Sequence, residues 1–314
     1  MLKIALIGYG YWGSKLARNF QNLESFKLVS IADIKSKSLS LAKKNYPLVK
    51  TSNDYKNIIK NNIIDLVIIS SPTTTHYKIC KFALENYKHV LVEKPLSLAL
   101  KEVKKLTKIA KSNKKMIFVD YPFLFSGTIN FIKKIINKST YGKILEIESF
   151  REQAPIRKDV NVIWDLCTHD ISILTYLLKE NPYSIHTIKK RNIKGSFCDT
   201  AYINLKYPNN LNVLIKNAWV SPTKIRLLKI KFEKAILYCD ENESLYKIKI
   251  YKNKSNKSIN YNMEIPDLDL TEPLSKLASY IHKSIKNNSN KLFQNKFNER
   301  ITLLLEKINK NNDI

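Results

Sequence analysis

Lys3-Ile4-Ala5-Leu6-Ile7-Gly8-Tyr9-Gly10-Tyr11-Trp12-Gly13 is the stretch whose reading decides the fold. Lys3–Ile7 is a short apolar run that reads as a buried strand, and a helix begins near Trp12. Between them lies Gly-x-Gly-x-x-Gly, and each glycine has a job. Gly8 permits a tight turn, Gly10 lets a ligand approach the backbone, and Gly13 lets the helix pack on the strand. The amides that open such a helix, here those of Tyr11 and Trp12, form an anion site suited to a pyrophosphate.

Outward from this turn, Lys27–Ala32 reads as a second strand and ends at Asp33, twenty residues past Gly13. A carboxylate there accepts hydrogen bonds from ribose hydroxyls and repels a 2′-phosphate, which selects NAD. Lys35 and Lys37 soften that choice and leave NADP as the second cofactor. Helices are expected over Lys37–Asn45, Asp54–Asn61, His76–Asn86 and Leu98–Ser112, with strands at Ile64–Ser70, His89–Val92 and Met116–Val119. Such alternation predicts an α/β domain over residues 1–120, a Rossmann-type doubly wound parallel sheet. Beyond it come a helix at Thr128–Asn137, a strand at Lys143–Arg151 and an amphipathic helix at Trp164–Leu178. Longer alternating strands then run from Tyr183 to about Tyr251, and helices at Pro273–Lys286 and Phe297–Lys310 close the chain. Residues 121–314 therefore read as a C-terminal α+β domain with an open, mainly antiparallel sheet.

The chain has 314 residues and a formal charge of +27, which raises the question of nucleic acid. Its 54 basic residues include only six arginines, and lysine is spread along the whole length. Phosphate and base readers lean on the bidentate guanidinium, so the pattern argues against nucleic-acid binding and for attraction of anionic small molecules. Cys80, Cys167, Cys198 and Cys239 lie far apart with no CxxC pair, which speaks against a disulfide scaffold or a zinc site. No apolar run approaches the ~20 residues of a membrane span, and no secretory h-region is visible, so the expectation is a cytoplasmic protein.

Further motifs sharpen the reading. Ser70–Ser97 contains Ser71-Pro72, then His76, then His89-Val90-Leu91-Val92-Glu93-Lys94-Pro95; a second cluster reads Asp165-Leu166-Cys167-Thr168-His169. Together with the glycine turn, these resemble the Gfo/Idh/MocA oxidoreductases, such as glucose–fructose oxidoreductase and inositol dehydrogenase. The resemblance spans nearly the whole chain. Asn86-Tyr87 departs from it, standing where most relatives carry a glycine. The resemblance implies that Ser71, Pro72, Glu93, Lys94 and Pro95 border the cofactor, with a cis bond before Pro95; His76 either lines that pocket near Pro72 or merely begins a helix. Homo-oligomers, dimers or tetramers, are also implied, formed through the open sheet.

The residues themselves agree with this chemistry. Lys94 falls just past the C-terminal end of a parallel strand, where ligands bind in such sheets. Its ammonium can polarise a substrate oxygen. Asp165 and His169 stand four apart, on one face of a helix, and histidine suits the proton half of an alcohol oxidation because its ordinary pKa lies near working pH. Arg151 and Arg157 either hold a carboxylate or phosphate of the substrate or are surface arginines, and Trp164 either stacks on a sugar face or, as the safer reading, packs in the core. The run Arg157–His169 resembles family branches associated with sugar-nucleotide metabolism, so a uronate or nucleotide-linked sugar is one expected substrate. The rival readings are an NAD(H)-sensing regulator of the same fold and a reductase of another carbonyl or imine.

Overall fold

A computed structural model describes residues 1–194, 197–253, 261–290, 292 and 296–311. The chain divides into two compact units: Met1–Pro122 with Glu272–Leu303, and Phe123–Thr271 with Leu304–Ile314. The second stretch of the first unit is a return of the chain that a single cut near residue 120 does not include.

The first unit carries a six-stranded parallel sheet: β1 (Leu2–Ile7), β2 (Phe26–Ala32), β3 (Lys50–Ser52), β4 (Leu66–Ile69), β5 (His89–Glu93) and β6 (Ile117–Asp120). Its order is β3-β2-β1-β4-β5-β6, with every pairing parallel. The order in which successive strands are added reverses between β1 and β4, the topological switch at which such sheets bind ligands. Helices α1 (Tyr11–Gln21), α2 (Ser36–Asn45), α3 (Tyr55–Ile59), α4 (Thr73–Glu85) and α5 (Leu100–Ser112) connect the strands. All four residues of β4 are buried, as a central strand covered on both faces requires. The three-residue β3 has no periodicity to betray it and is absent from the sequence reading. Helix α4 begins at Thr73, directly after Pro72, so His76 lies in its first turn instead of opening it. Helix α8 (Pro273–Lys286) belongs to this unit. Ser275 donates to Asn19 on α1 at 3.1 Å, and the ring of His282 meets Phe26 edge-on.

The second unit is built on an eight-stranded mixed sheet. Its strands are β7 (Ile144–Glu152), β8 (Ser184–Lys190), β9 (Thr200–Lys206), β10 (Asn212–Ala218), β11 (Ile225–Phe232), β12 (Ala235–Asp240), β13 (Ile248–Asn253) and β14 (Tyr261–Glu264). The order is β14-β13-β12-β11-β7-β10-β9-β8, antiparallel except for the β7–β10 pair. Helix α6 (Gly127–Lys138) packs on α7 (Thr168–Leu177). Helix α9 (Phe297–Lys310) crosses from one unit into the other along the chain.

One sequence expectation needs correction here. Trp164–Leu178 is not a single amphipathic helix: Ile163–Cys167 forms a π-helical turn, and α7 follows from Thr168. Every residue from Val162 to Thr175 is buried except His169. A segment covered on nearly all sides keeps no polar stripe, and π turns of this kind concentrate at functional sites.

Candidate functional site

The glycine turn of the first unit has the shape that its sequence requires. Gly8 adopts φ +94°, and a Cβ there would lie 2.5 Å from the Ser70 carbonyl oxygen at the end of β4. A Cβ on Gly13 would overlap the Gly8 carbonyl oxygen. Gly10 is different: a Cβ on it meets nothing within 4 Å, so its open side is space available to a ligand. The α1 helix starts from Gly10 with no side-chain cap, leaving its first-turn amides without a capping side chain. Asp33 closes the other side. Its Oδ2 accepts from the Tyr9 amide at 2.7 Å and its Oδ1 from the Lys35 amide at 2.8 Å. The carboxylate therefore braces the glycine turn against the end of β2, and each oxygen keeps a further lone pair for a ribose hydroxyl. Open backbone at Gly10, uncapped amides and an acidic residue at the end of β2 together fit a dinucleotide. Tyr11 and Trp12 point outward, with the Lys15 ammonium 4.2 Å and 4.6 Å from their ring centres.

At the ends of β4 and β5 lie the other expected cofactor residues. The Lys94–Pro95 bond is cis, as the resemblance implies. His76 is 1% exposed and works as a strut: Nδ1 lies 2.8 Å from the Pro95 carbonyl oxygen and Nε2 2.9 Å from that of Ser71. It thus ties the Ser71-Pro72 turn to the cis bond. Ser71 and Thr75 hydroxyls bond at 2.6 Å. Lys94 is buried to 9% exposure, so its ammonium is not one more solvated lysine. Glu93 pairs in register with Asp120 on β6, a residue absent from the sequence reading of the site. Burial, and then the Glu93 charge, push the Asp120 carboxyl well above the ordinary carboxylate range.

The second unit holds the acid–base candidates. Asp165, 7% exposed, accepts from the Trp219 indole N–H at 2.9 Å on Oδ2, and the Arg157 guanidinium lies 3.5 Å from Oδ1. His169 meets Phe123 edge-on with ring centres 5.1 Å apart. The Arg151 guanidinium lies 4.6 Å from the centre of that same phenyl ring. Arg151 Nε also donates to Asp170 Oδ1 at 3.2 Å. Asp170 is fully enclosed; the Ser149 hydroxyl donates to it at 2.7 Å and the Asn217 amide at 2.8 Å. Arg157 makes a bidentate pair with Asp159, at 2.9 Å and 2.7 Å. Both arginines thus meet carboxylates of the protein itself. Trp164 is 6% exposed and packs in the core. Arg226, opposite Arg151 in register, donates to the carbonyls of Glu152, Ile225 and Gln153. Burial, helped by the Arg151 charge, pushes its pKa down to about 10.

Asp120 in the first unit, and Phe123, Asp170 and Trp219 in the second, each adjoin candidate residues of their own unit and escaped the sequence reading. Asp170 directly follows His169, and Asp120 ends the strand beside Glu93. Both could have been found from chain position, whereas nothing local marks Trp219. Among the described residues no cluster of His, Cys, Asp or Glu is arranged to hold a metal ion, and no helix is long and apolar enough to cross a membrane.

Comparison with known proteins gives two matches to family profiles. The profile described as "Oxidoreductase family, NAD-binding Rossmann fold" matches residues 2–121, and that of the "GFO/IDH/MocA C-terminal domain" matches residues 129–238. Myo-inositol 2-dehydrogenase of Thermotoga maritima is 26% identical over 229 residues, 69% of this chain and 68% of that protein. The scyllo-inositol 2-dehydrogenase (NAD(+)) of Bacillus subtilis is 31% identical over 185 residues, 56% of this chain and 54% of that one. The solved structure of UDP-N-acetylglucosamine 3-dehydrogenase from Acidithiobacillus ferrooxidans matches with a TM-score of 0.85 at 17% identity. That match covers 98% of this chain and 96% of the other, and it shows the shared fold. With both halves of the signature matched in order, the chain belongs to the Gfo/Idh/MocA family of oxidoreductases and binds NAD through its Rossmann unit.

Proposed function

We propose that this chain oxidises a ring CH–OH of an uncharged sugar or cyclic polyol. Bound NAD supplies the acceptor for the hydride. His169 takes the hydroxyl proton, Lys94 polarises the substrate oxygen, and Asp165 orients substrate and imidazole. The observation that carries this reading is His169 itself. It is the one residue between Val162 and Thr175 that is not buried, and an enclosed carboxylate, Asp165, stands four residues before it. A buried acid held by an indole N–H and a guanidinium is costly to assemble, and such cost is characteristic of functional sites.

The arginines decide between substrate classes. Arg151 and Arg157 were the candidates to grip an anionic group, yet Asp170, Asp159 and Asp165 engage them. With those cations internally balanced, a neutral polyol fits better than a uronate. Inositol is the substrate in the names of two relatives, and it belongs to that neutral class. A reductase acting on the corresponding ketone is the same reaction reversed. The half-exposed sheet face that carries Tyr238 and Tyr251 supports a homo-oligomer covered there, which sedimentation velocity would test.

The deciding experiment is a panel of cyclic polyols, aldoses, uronates and nucleotide sugars, followed by NADH absorbance. Oxidation of a neutral ring substrate is the expected result. Turnover confined to uronates or nucleotide sugars would overturn the neutral class, and turnover of none would overturn the reading.

A further inference from the structure

Strands β5 and β6 end side by side, and their last residues, Glu93 and Asp120, are register partners. Parallel register partners project to the same face of a sheet, so the two carboxyl groups are neighbours there, and Asp120 Oδ1 is buried with no hydrogen-bond partner. Two neighbouring carboxylates repel and have no hydrogen to share, whereas a single proton turns such a pair into a hydrogen bond. Asp120 is 2% exposed, so water does little to stabilise a second negative charge there. The charged groups acting on Asp120 are Glu93 and Lys94, both from the end of β5. Burial and Glu93 favour its acid form, and Lys94 opposes them.

We propose that Glu93 and Asp120 hold one proton between them, and that the single negative charge left over is the counter-ion that positions Lys94. Charge balance favours this arrangement over its neighbours. Two ionised carboxylates would leave an enclosed excess of negative charge, and two neutral ones would remove the negative charge adjoining the buried Lys94. With one proton, the acid of Asp120 donates to Glu93, and Glu93 keeps a full charge next to the adjoining Lys94. Asp120 is then a positioning residue, acting on substrate through Lys94. That role rests on the reading given under Proposed function; the shared proton does not.

The test uses infrared difference spectra of the full-length protein in deuterated buffer at about pH 8, where ordinary carboxyls are ionised. Wild type should show a carboxylic-acid carbonyl band that disappears in both Asp120→Asn and Glu93→Gln. Absence of the band, or its survival in Asp120→Asn, overturns the shared proton. For positioning, Asp120→Ala should lower kcat about tenfold with little change in KM for NAD, and Asp120→Asn, which still donates to Glu93, should recover most of that loss. Wild-type turnover in Asp120→Ala, or no recovery in Asp120→Asn, overturns the positioning role. If wild type oxidises nothing in the polyol panel, the proposed function fails, while the infrared band still decides the proton.

Discussion

The Arg151 guanidinium and the Asp170 carboxylate form an enclosed ion pair, with Nε 3.2 Å from Oδ1 and side chains 6% and 0% exposed. Asp170 also takes hydrogen bonds from Ser149 and Asn217, so removing it strands a buried cation and two donors. Loss of one partner of a buried pair costs about 3–5 kcal/mol. Asp170→Ala should therefore lower the free energy of unfolding by about that amount in urea denaturation. A loss below about 1 kcal/mol would mean that the pair contributes as little as a surface bridge.

The glycine turn separates packing from ligand approach. Gly13→Ala places a methyl against the Gly8 carbonyl oxygen and should destabilise the first unit by about 1–3 kcal/mol or more. Gly10→Ala meets no protein atom within 4 Å, and Gly10 has φ −87°, which alanine adopts freely. That variant should melt like wild type yet bind NADH at least about tenfold more weakly in a fluorescence titration. Equal NADH affinity in Gly10→Ala would show that no pyrophosphate lies against this backbone.

Tyr87 stands at φ +59°, the left-handed region, and its side chain is 65% exposed. A side chain there costs roughly 1–2 kcal/mol and gains little packing in return. Tyr87→Gly should raise stability by about 1 kcal/mol once the extra chain entropy of glycine is subtracted. A lower melting temperature would show that the tyrosine ring contributes more than the strain removes.

His89 gives the fold a pH dependence. Its Nδ1 accepts from the Met116 amide at 3.2 Å, which only an unprotonated nitrogen can do. Burial, with Lys115 adding repulsion, pushes its pKa down to about 4. The unfolded chain binds this proton near pH 6.5, the folded one only near pH 4. Stability from this residue is thus complete above about pH 6.5 and declines as pH falls toward about 4, by up to about 3 kcal/mol. His89→Gln should flatten that part of the stability profile, and an unchanged slope in the variant would contradict the assignment.

Much of this was legible in the sequence because it is local. Gly8, Gly10, Gly13 and Asp33 sit at fixed offsets from a strand and a helix, and Lys94 follows a buried strand directly. The misses are tertiary. Asp120 meets Glu93 only because β5 and β6 pair in register, and Trp219 reaches Asp165 across 54 residues. The π turn at Ile163–Cys167 was hidden in a run so apolar that no face of it stands out. Arg151 and Arg157 looked like free donors because Asp170 and Asp159 were not read as their partners; in Arg157 the partner is only two residues away.

The central claim is that Lys94 takes part in the chemical step as well as in the architecture of the strand end. Lys94→Ala, measured with a neutral polyol that wild type oxidises, tests it most directly. The account predicts a fall in kcat of roughly 10²–10⁴-fold, while NADH affinity and melting temperature stay near wild type. Turnover within about twofold of wild type, in a variant that still binds NADH, would contradict it.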